Sequence, residues 1–331
     1  MTQDDLRQLI DQAFEEGWTK LNLSEQNLSE LPPEISKLSQ LEVLILGYAD
    51  DIFSRSGNRI KKLPLEIVHL IHLKELYFIG NRLSIVPPEI GQLTQLQRLD
   101  LSANQLSTLL PEIGQLTQLE ELDIIHNSLR ELPPEIGQLV QLKKLRLNRN
   151  QLRVLPPEIG QLVKLQELTL EYNQLNTLPS EIVQLTQLQK LDIGGSQLNH
   201  FPSELLRLSN LRKLSLRAKE LTVLPPELFQ LTQLEELDIN NNSLGELPPE
   251  IGRLVQLKKL KLNRTQLRVL PPEIGQLVKL QELYLGDTQL STLSPELFQL
   301  IQLEKLNISN NPLRELPPEI GRLVQLKKLS L

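Results

Sequence analysis

The 331-residue chain contains no cysteine. That removes disulfides, thiolate metal ligands and a cysteine nucleophile together, and it argues against extracellular repeat folds capped by cysteine clusters. A reducing, cytoplasmic setting is the expectation. Aromatic residues are only 3% although hydrophobic residues reach 40%, so the apolar content is almost all Leu, Ile and Val, as for a core made of one residue type repeated in register. No apolar run approaches the roughly 18 residues of a membrane span, and the opening Met1-Thr2-Gln3-Asp4-Asp5 is acidic where a secretory leader is basic. An excess of base is missing too: at a net charge of −6 there is no global field to attract nucleic acid. Neither a membrane nor a nucleic acid is the expected partner.

Catalytic signatures are equally scarce. None of the 15 glycines is followed by Lys, which excludes a phosphate-binding P-loop from this chain, and kinase, dinucleotide-binding, zinc-protease and serine-elbow patterns do not occur. His69 and His72 have helical spacing but no third ligand, and His126 and His200 are isolated in the sequence. Acid pairs such as Glu120-Glu121 and Glu235-Glu236 recur by repetition rather than around a cleft. No catalytic residue, metal site or cofactor is expected.

What the chain does contain is one phrase, repeated. Length alone would suggest about two ordinary domains, but internal periodicity overrules that prior. The register runs through Trp18, Leu41, Leu73, Leu96, Leu119 and Leu142, and on by 23 residues at a time to Leu326. This makes 13 complete units over 18–331 and a partial fourteenth. One unit, Leu119 to Gln141, reads L-x-x-L-x-L-x-x-N-x-L-x-x-L-P-P-E-I-G-x-L-x-x. Leu119, Leu122 and Ile124 approach period two, as in a short strand with those side chains turned inward. Leu129, Leu132, Ile136 and Leu139 are the inward positions of the returning arm. Pro133-Pro134 blocks further pairing and suits the first turn of a short 3₁₀ or irregular segment.

A single such coil buries too little to fold, so stacking on neighbours must supply the rest. The ninth position supports the same geometry, because a buried amide can bond both N–H and C=O groups of an unpartnered turn. Asn81, Asn104, Asn127, Asn150, Asn173, Asn242 and Asn311 form this ladder. Ser196, Thr265 and Thr288 can replace it in part, whereas Gln26 and Lys219 cannot, so their two repeats should be irregular.

This consensus resembles the Ras-group-related class of intracellular leucine-rich repeats, found in plant cytosolic repeat proteins, in the Scribble and Erbin group and in bacterial Roco proteins. The near-identical Pro-Pro-Glu-Ile-Gly-Gln-Leu units and the opening Glu-Gly-Trp-Thr-Lys-Leu-Asn-Leu are most similar to bacterial, cyanobacterial Roco-type arrays. The resemblance implies an α/β leucine-rich-repeat solenoid, a horseshoe with a parallel concave sheet and short 3₁₀ or irregular convex segments.

Residues 1–17 depart from the repeat. Thr2 to Asp5 has capping-box spacing, and Leu6, Leu9, Ile10, Ala13 and Phe14 follow at helical intervals up to a stop at Gly17. The expectation is an amphipathic helix capping the first repeat. At the other end Leu326, Leu329 and Leu331 have nothing to stack on them, which points to a longer protein or to self-association there. Eleven residues, 47–57, stand where a standard repeat has two. This insertion should leave the frame after the second strand, offering Tyr48, Asp50, Asp51, Phe53 and Arg55 as loop contacts.

On the concave face the second, third, fifth, seventh and eighth positions should be exposed. These are Glu120, Glu121, Asp123, Ile125 and His126, then Lys143, Lys144, Arg146, Asn148 and Arg149, then a strip with Glu167 and Tyr172. The block 234–285 duplicates 119–170 with seven differences in 52 positions and supplies Glu235, Glu236, Asp238, Lys258, Lys259, Lys261, Arg264, Tyr284 and, just beyond, Asp287. One reading pairs Glu120/Lys143, Glu121/Lys144 and Asp123/Arg146 across strands to hold the stack. The other is a banded surface with Tyr172, Tyr284 and Ile125 as anchors for a partner. The two are compatible. The expected role is a non-catalytic protein-recognition scaffold in intracellular signalling, binding through the concave face and weakened by charge reversal at Lys143, Lys144 and Arg146. The alternative is the repeat arm of a larger enzyme such as a Roco GTPase or a bacterial effector.

Overall fold

The computed structural model describes residues 1–49, 55–198, 200–218 and 221–331. The chain forms two compact units: Met1–Asn173 with Pro179–Leu185, and Gln174–Leu178 with Thr186–Leu331.

The first unit opens with helix α1, Gln3–Glu15, whose capping box is complete: Thr2 Oγ1 accepts from Asp5 N while Asp5 accepts from Thr2 N. Leu6, Ile10 and Ala13 are buried, and Lys37–Asp11 and Arg7–Glu34 ion pairs tie the helix to the first returning arm. Gly17 stops it at φ +66°. Phe14 departs from the expected apolar stripe: it is 54% exposed, while Leu6, Ile10 and Ala13 are the buried residues of the helix.

Strands β1 (Lys20–Asn22), β2 (Val43–Ala49), β4 (Glu75–Phe78), β5 (Arg98–Asp100), β6 (Glu121–Asp123), β7 (Lys144–Arg146) and β8 (Glu167–Thr169) lie parallel in that order. The register is strict, with Leu99↔Leu122 and Leu122↔Leu145, so each aliphatic layer covers the next. Leu119, Leu122, Ile124, Leu129, Leu132, Ile136 and Leu139 are all buried, as their spacing requires. Each returning arm holds a five-residue 3₁₀ segment such as Pro134–Gln138, entered from an extended residue that is proline in most repeats and Leu110 or Ser294 in two.

The insertion departs from the parallel strand path as a hairpin. In it β2 runs on to Ala49, and β3 (Arg55–Gly57) pairs back antiparallel with Gly47↔Gly57 and Ala49↔Arg55. A bulge between Ile45 and Gly47 admits the extra chain beside β4. Glycine is required on both arms: a Cβ on Gly47 would lie 1.7 Å from Ile79 O, and one on Gly57 2.0 Å from Gly80 O. Tyr48 is half exposed. The candidate contacts Asp50, Asp51 and Phe53 lie outside the described residues, and Arg55 contributes only its strand backbone to the description.

The second unit repeats the plan with β9 (Lys190–Asp192), β10 (Lys213–Ser215), β11 (Glu236–Asp238), β12 (Lys259–Lys261), β13 (Glu282–Tyr284), β14 (Lys305–Asn307) and β15 (Lys328–Ser330), all parallel and in sequence order.

The asparagine ladder is built as its chemistry predicts. Asn150 Oδ1 accepts from Leu129 N at 3.0 Å, and its Nδ2 donates to Ile124 O at 2.8 Å and Leu147 O at 3.0 Å, so one amide bonds its own repeat and the one before. Asn58 belongs to the same ladder, bonding Leu28 N, Leu23 O and Leu46 O across the insertion. Thr265 and Thr288 keep only the donation to their own strand ends, Leu262 O and Leu285 O, with Thr288 also donating to Asn311. Ser196 corrects the expectation. Its Oγ is buried and has no hydrogen-bond partner among the described residues, because a serine is too short to span to the neighbouring turn.

The irregular repeats fall where expected. Next to Gln26, Asn27 takes a positive φ of 57°, which the regular repeats do not show at that position. Lys219 itself lies outside the described residues, but next to it Asn242 accepts from Ala218 N, where the regular pattern would use a residue three further on.

Candidate interaction surface

The outward face of each sheet consists of rows running across the strands, one row for each position of the repeat. Over much of the third row charges alternate and several neighbours in register pair, although Lys190↔Lys213 and Lys305↔Lys328 set like charges opposite each other. In the first unit Glu121 receives Lys144 at 2.7 Å and Arg98 at 3.1 Å, while Lys143 meets Glu120 at 2.8 Å in the second row. Arg146, in the fifth row, is clamped on both sides, by Asp123 at 3.1 Å and by Glu167 at 3.1 Å. All three pairs read from the sequence are therefore present.

In the second unit Lys258 and Arg212 share Glu235, Lys261 spans Glu236 and Asp238, and Lys259 and Lys305 both reach Glu282 at 2.8 Å. Tyr284 Oη also donates to Glu282. Burial opposes ionisation of Glu282, but these three donors outweigh it and bring its pKa down to about 2.

The fifth row was expected to be exposed, and for its short side chains that is incorrect. Asp123 is 8% exposed and Asp238 7%, and Thr169 is buried as well. For Asp238 the cause is a demand from the backbone, whereas Asp123 lies against Arg146 and Thr169 Oγ1 has no hydrogen-bond partner among the described residues. Beyond most of the short strands the N–H of the seventh residue is met by a side chain, in one of two ways. An acid or amide in the fifth row folds back onto it, as Asp100 does to Ser102 N, Asp192 to Gly194 N, Asp238 to Asn240 N and Asn307 to Ser309 N. Otherwise the seventh side chain of the preceding repeat reaches over, as Ser102 does to Ile125 N, Asn148 to Glu171 N, Asn240 to Asn263 N and Asn263 to Gly286 N. This is a second polar ladder, on the outer face, and the sequence reading missed it.

Asp100 stands apart within that row. Asp123, Asp192 and Asp238 each have a cation within 4 Å, whereas Asp100 has none among the described residues and sits in register with Asp123. Burial, and then the charge of Asp123, push its pKa up to about 6.

The eighth row has a different character. His126, Arg149, Tyr172, Asn241, Arg264, Asp287 and Asn310 all take φ between 55° and 58°. The left-handed region suits glycine, which occupies the same place at Gly80 and Gly195. The large side chains that stand here instead are exposed: Tyr172 is 50% accessible, with Arg149 stacked 4.9 Å above its ring, and the Arg264 side chain is 70% accessible with only a loose 3.7 Å approach to Asp287. Ile125 is half-buried beside His126. Among the described residues no group of three His, Asp or Glu side chains converges as a metal site would require, and His69, His72 and His200 are exposed.

This architecture, a 23-residue coil with an aliphatic core and an asparagine ladder, defines the leucine-rich-repeat class. The leucine-rich-repeat region family matches residues 20–132, 127–240 and 249–331, and the shorter leucine-rich-repeat family matches 233–254. The chain belongs to the leucine-rich-repeat family. It is similar, at 33% identity and a TM-score of 0.71, to the solved structure of a leucine-rich-repeat protein of Leptospira interrogans, over 96% of this chain and 97% of that one. An internalin of Listeria monocytogenes shares the fold at 21% identity and a TM-score of 0.83, covering 99% of this chain and 94% of its own. The Arabidopsis receptor kinase HAESA, solved with a peptide hormone and a co-receptor, is 25% identical with a TM-score of 0.73, and the match takes in 95% of this chain but 58% of that one. No curated protein matches the chain.

Proposed function

We propose that the chain is a protein-recognition scaffold, in a cytoplasmic signalling setting, that engages its partner through the outward strand face and chiefly through the eighth-row ridge. The observation that carries this reading is the backbone of that ridge. A left-handed non-glycine residue costs about 1–2 kcal/mol, yet Arg149, Tyr172 and Arg264 accept it while leaving their side chains in solvent. The charged groups of the second, third and fifth rows serve the stack. Those of the eighth row contribute little to it, and strain held at exposed side chains marks a surface kept for binding. The solved complex of HAESA with a peptide hormone is one instance of this class binding a polypeptide.

Charge reversal at Lys143, Lys144 and Arg146 is a poor test, since each is committed to an intrachain pair. Tyr172→Gly with Arg149→Gly is a better one. Relief of backbone strain offsets the loss of the stacked pair and the added chain entropy, so stability should change by less than about 1 kcal/mol. Affinity for a partner captured from the native cell and then purified should fall at least tenfold. Equal affinity in the double variant would remove the ridge from the reading.

A second reading makes the array the arm of a Roco-type GTPase or bacterial effector. It is favoured by the opening helix and the Glu-Gly-Trp-Thr-Lys-Leu-Asn-Leu phrase, and the full reading frame decides it.

A further inference from the structure

The outer ladder does more in the second unit than meet backbone groups. There the seventh row runs Asn240, Asn263, Gly286, Ser309. Asn240 Oδ1 accepts from Asn263 N and Asn263 Oδ1 accepts from Gly286 N, each at 2.7 Å. From the fifth row, Asn307 Oδ1 accepts from Ser309 N at 3.0 Å and from its hydroxyl at 2.7 Å. Only the oxygen of an amide can meet a backbone N–H, so these bonds fix which way round all three amides stand. Each Nδ2 is left as a donor with no acceptor among the described residues.

A second, independent feature gathers these donors around a space. Gly286 has no side chain, and a Cβ on it would stand 3.0 Å from both Asn307 Nδ2 and Ser309 Oγ and 3.1 Å from Asn263 Oδ1. The result is a recess of about 250 Å³ beside the eighth-row ridge, lined by Asn240, Asn241, Asn263, Arg264, Asp287 and Asn307. Arg264 brings a largely exposed guanidinium that approaches Asp287 only at 3.7 Å, and Asp287 Oδ1 already accepts from Asn310 Nδ2 at 2.9 Å. Donors without partners therefore dominate the lining. Asn240 and Asn263 follow successive strands, about 4.8 Å apart. One oxygen about 2.9 Å from two donors so spaced sees them roughly 110° apart, close to its lone-pair directions.

We propose that this recess binds a carboxylate, the side chain of an Asp or Glu on a protein partner. Asn240 and Asn263 donate through Nδ2 to one of its oxygens, and Arg264 meets the other in a charge-assisted bond. The amides do this without turning, so the backbone bonds of the ladder stay in place. For the source of the carboxylate the inference rests on the recognition reading above; the donor set itself does not depend on it.

The test uses the full chain and acetyl-triglutamyl-amide, followed by isothermal titration and by the side-chain amide resonances of Asn240 and Asn263. The expected result is saturable binding that moves these resonances, with at least a tenfold loss in Asn240→Asp and in Asn263→Asp. Each substitution keeps the oxygen that the backbone N–H needs and replaces only the donor, so the fold, checked by circular dichroism, is retained. Arg264→Gln, at an exposed side chain, should lose at least tenfold as well. Asn148→Asp makes the same change where Asn148 meets Glu171 N in the first unit, away from the recess, and should bind within twofold of the parent. Parent-like binding in both recess amide variants, an equal loss in Asn148→Asp, or binding of acetyl-triglutaminyl-amide or of free acetate as tight as that of the acidic peptide overturns the proposal. None of these outcomes bears on Tyr172 or Arg149, so failure of the recess and failure of the ridge are separately visible.

Discussion

The duplicated blocks provide an internal experiment on the buried ladder, for which Asn150→Thr and Thr265→Asn are reciprocal exchanges. Asn150 makes three bonds to buried backbone groups: Leu129 N at 3.0 Å, Ile124 O at 2.8 Å and Leu147 O at 3.0 Å. Thr265, its counterpart 115 residues on, makes one, to Leu262 O at 2.8 Å. The first exchange therefore removes two bonds, both to the preceding repeat, and leaves an N–H and a C=O buried without those partners. At about 1–1.5 kcal/mol per bond, with part of the desolvation penalty added, Asn150→Thr should cost about 2–4 kcal/mol. Thr265→Asn supplies two bonds where none stood, and should gain about 1–2 kcal/mol after the loss of side-chain entropy. Urea unfolding followed by circular dichroism measures both, with the slope showing whether the array still unfolds as before. A cost below about 0.5 kcal/mol for Asn150→Thr, or no gain for Thr265→Asn, would refute the claim that the ladder couples repeats rather than merely filling a turn.

Arg146→Ala leaves Asp123 buried between Asp100 and Glu167 without its cation, and should destabilise by about 2–4 kcal/mol in urea titration, more than Lys143→Ala at the exposed second row. Asp100, raised from 3.8 to about 6, binds its proton more tightly folded than unfolded. The penalty on its charged form therefore grows as pH rises from about 4 through 6, and Asp100→Asn should raise stability by up to about 3 kcal/mol at pH 7.5 and hardly at all at pH 3.5, read as melting temperature against pH. Glu282, lowered to about 2, has the opposite sign: its contribution is present above about 4.5 and lost as pH falls towards 2, so Glu282→Gln should flatten that part of the profile. Gly57→Ala would set a Cβ against Gly80 O and Ile79 O and should cost about 1–3 kcal/mol on thermal melting.

The parts legible in the sequence were those governed by a period. Seven inward aliphatics, the 3₁₀ segment after Pro-Pro and the amide ladder recur every 23 residues, and the cross-strand pairs follow once strands stack in register. The second ladder was not legible, since Asn148, Asn240 and Asn263 look like any outward polar residue until the seventh N–H is known to lack a strand partner. The left-handed eighth position did leave a trace, for Gly80 and Gly195 occupy it where the repeat has no consensus residue. The pairing of β3 with β2 depends on close approach to β4, which Gly47 and Gly57 permit, and spacing alone does not reveal contact across an insertion. Ser196 failed through length rather than polarity, a distinction that residue type carries only when the span to be bridged is known.

The rows differ in how much of their chemistry the fold has already used, and this decides where a partner gains most. An arginine held on both sides, as Arg146 is by Asp123 and Glu167, must lose those bonds before it can offer them elsewhere, so its net contribution to binding is small even though it faces solvent. Amides in the seventh row are bound to backbone and cannot turn outward without orphaning an N–H. What is left is the eighth-row ridge, with Tyr172 under Arg149. Residues that stabilise the stack and residues available to a partner are thus separated by position within the repeat. Substitution of the first kind should register in unfolding and of the second kind in binding, with little crossover. The separation also explains how blocks 119–170 and 234–285 can share nearly all their residues and still present different surfaces: Ile125 and His126 stand where the later block has Asn240 and Asn241, in the seventh and eighth rows, while the paired acids and bases of the second and third rows are the same in both.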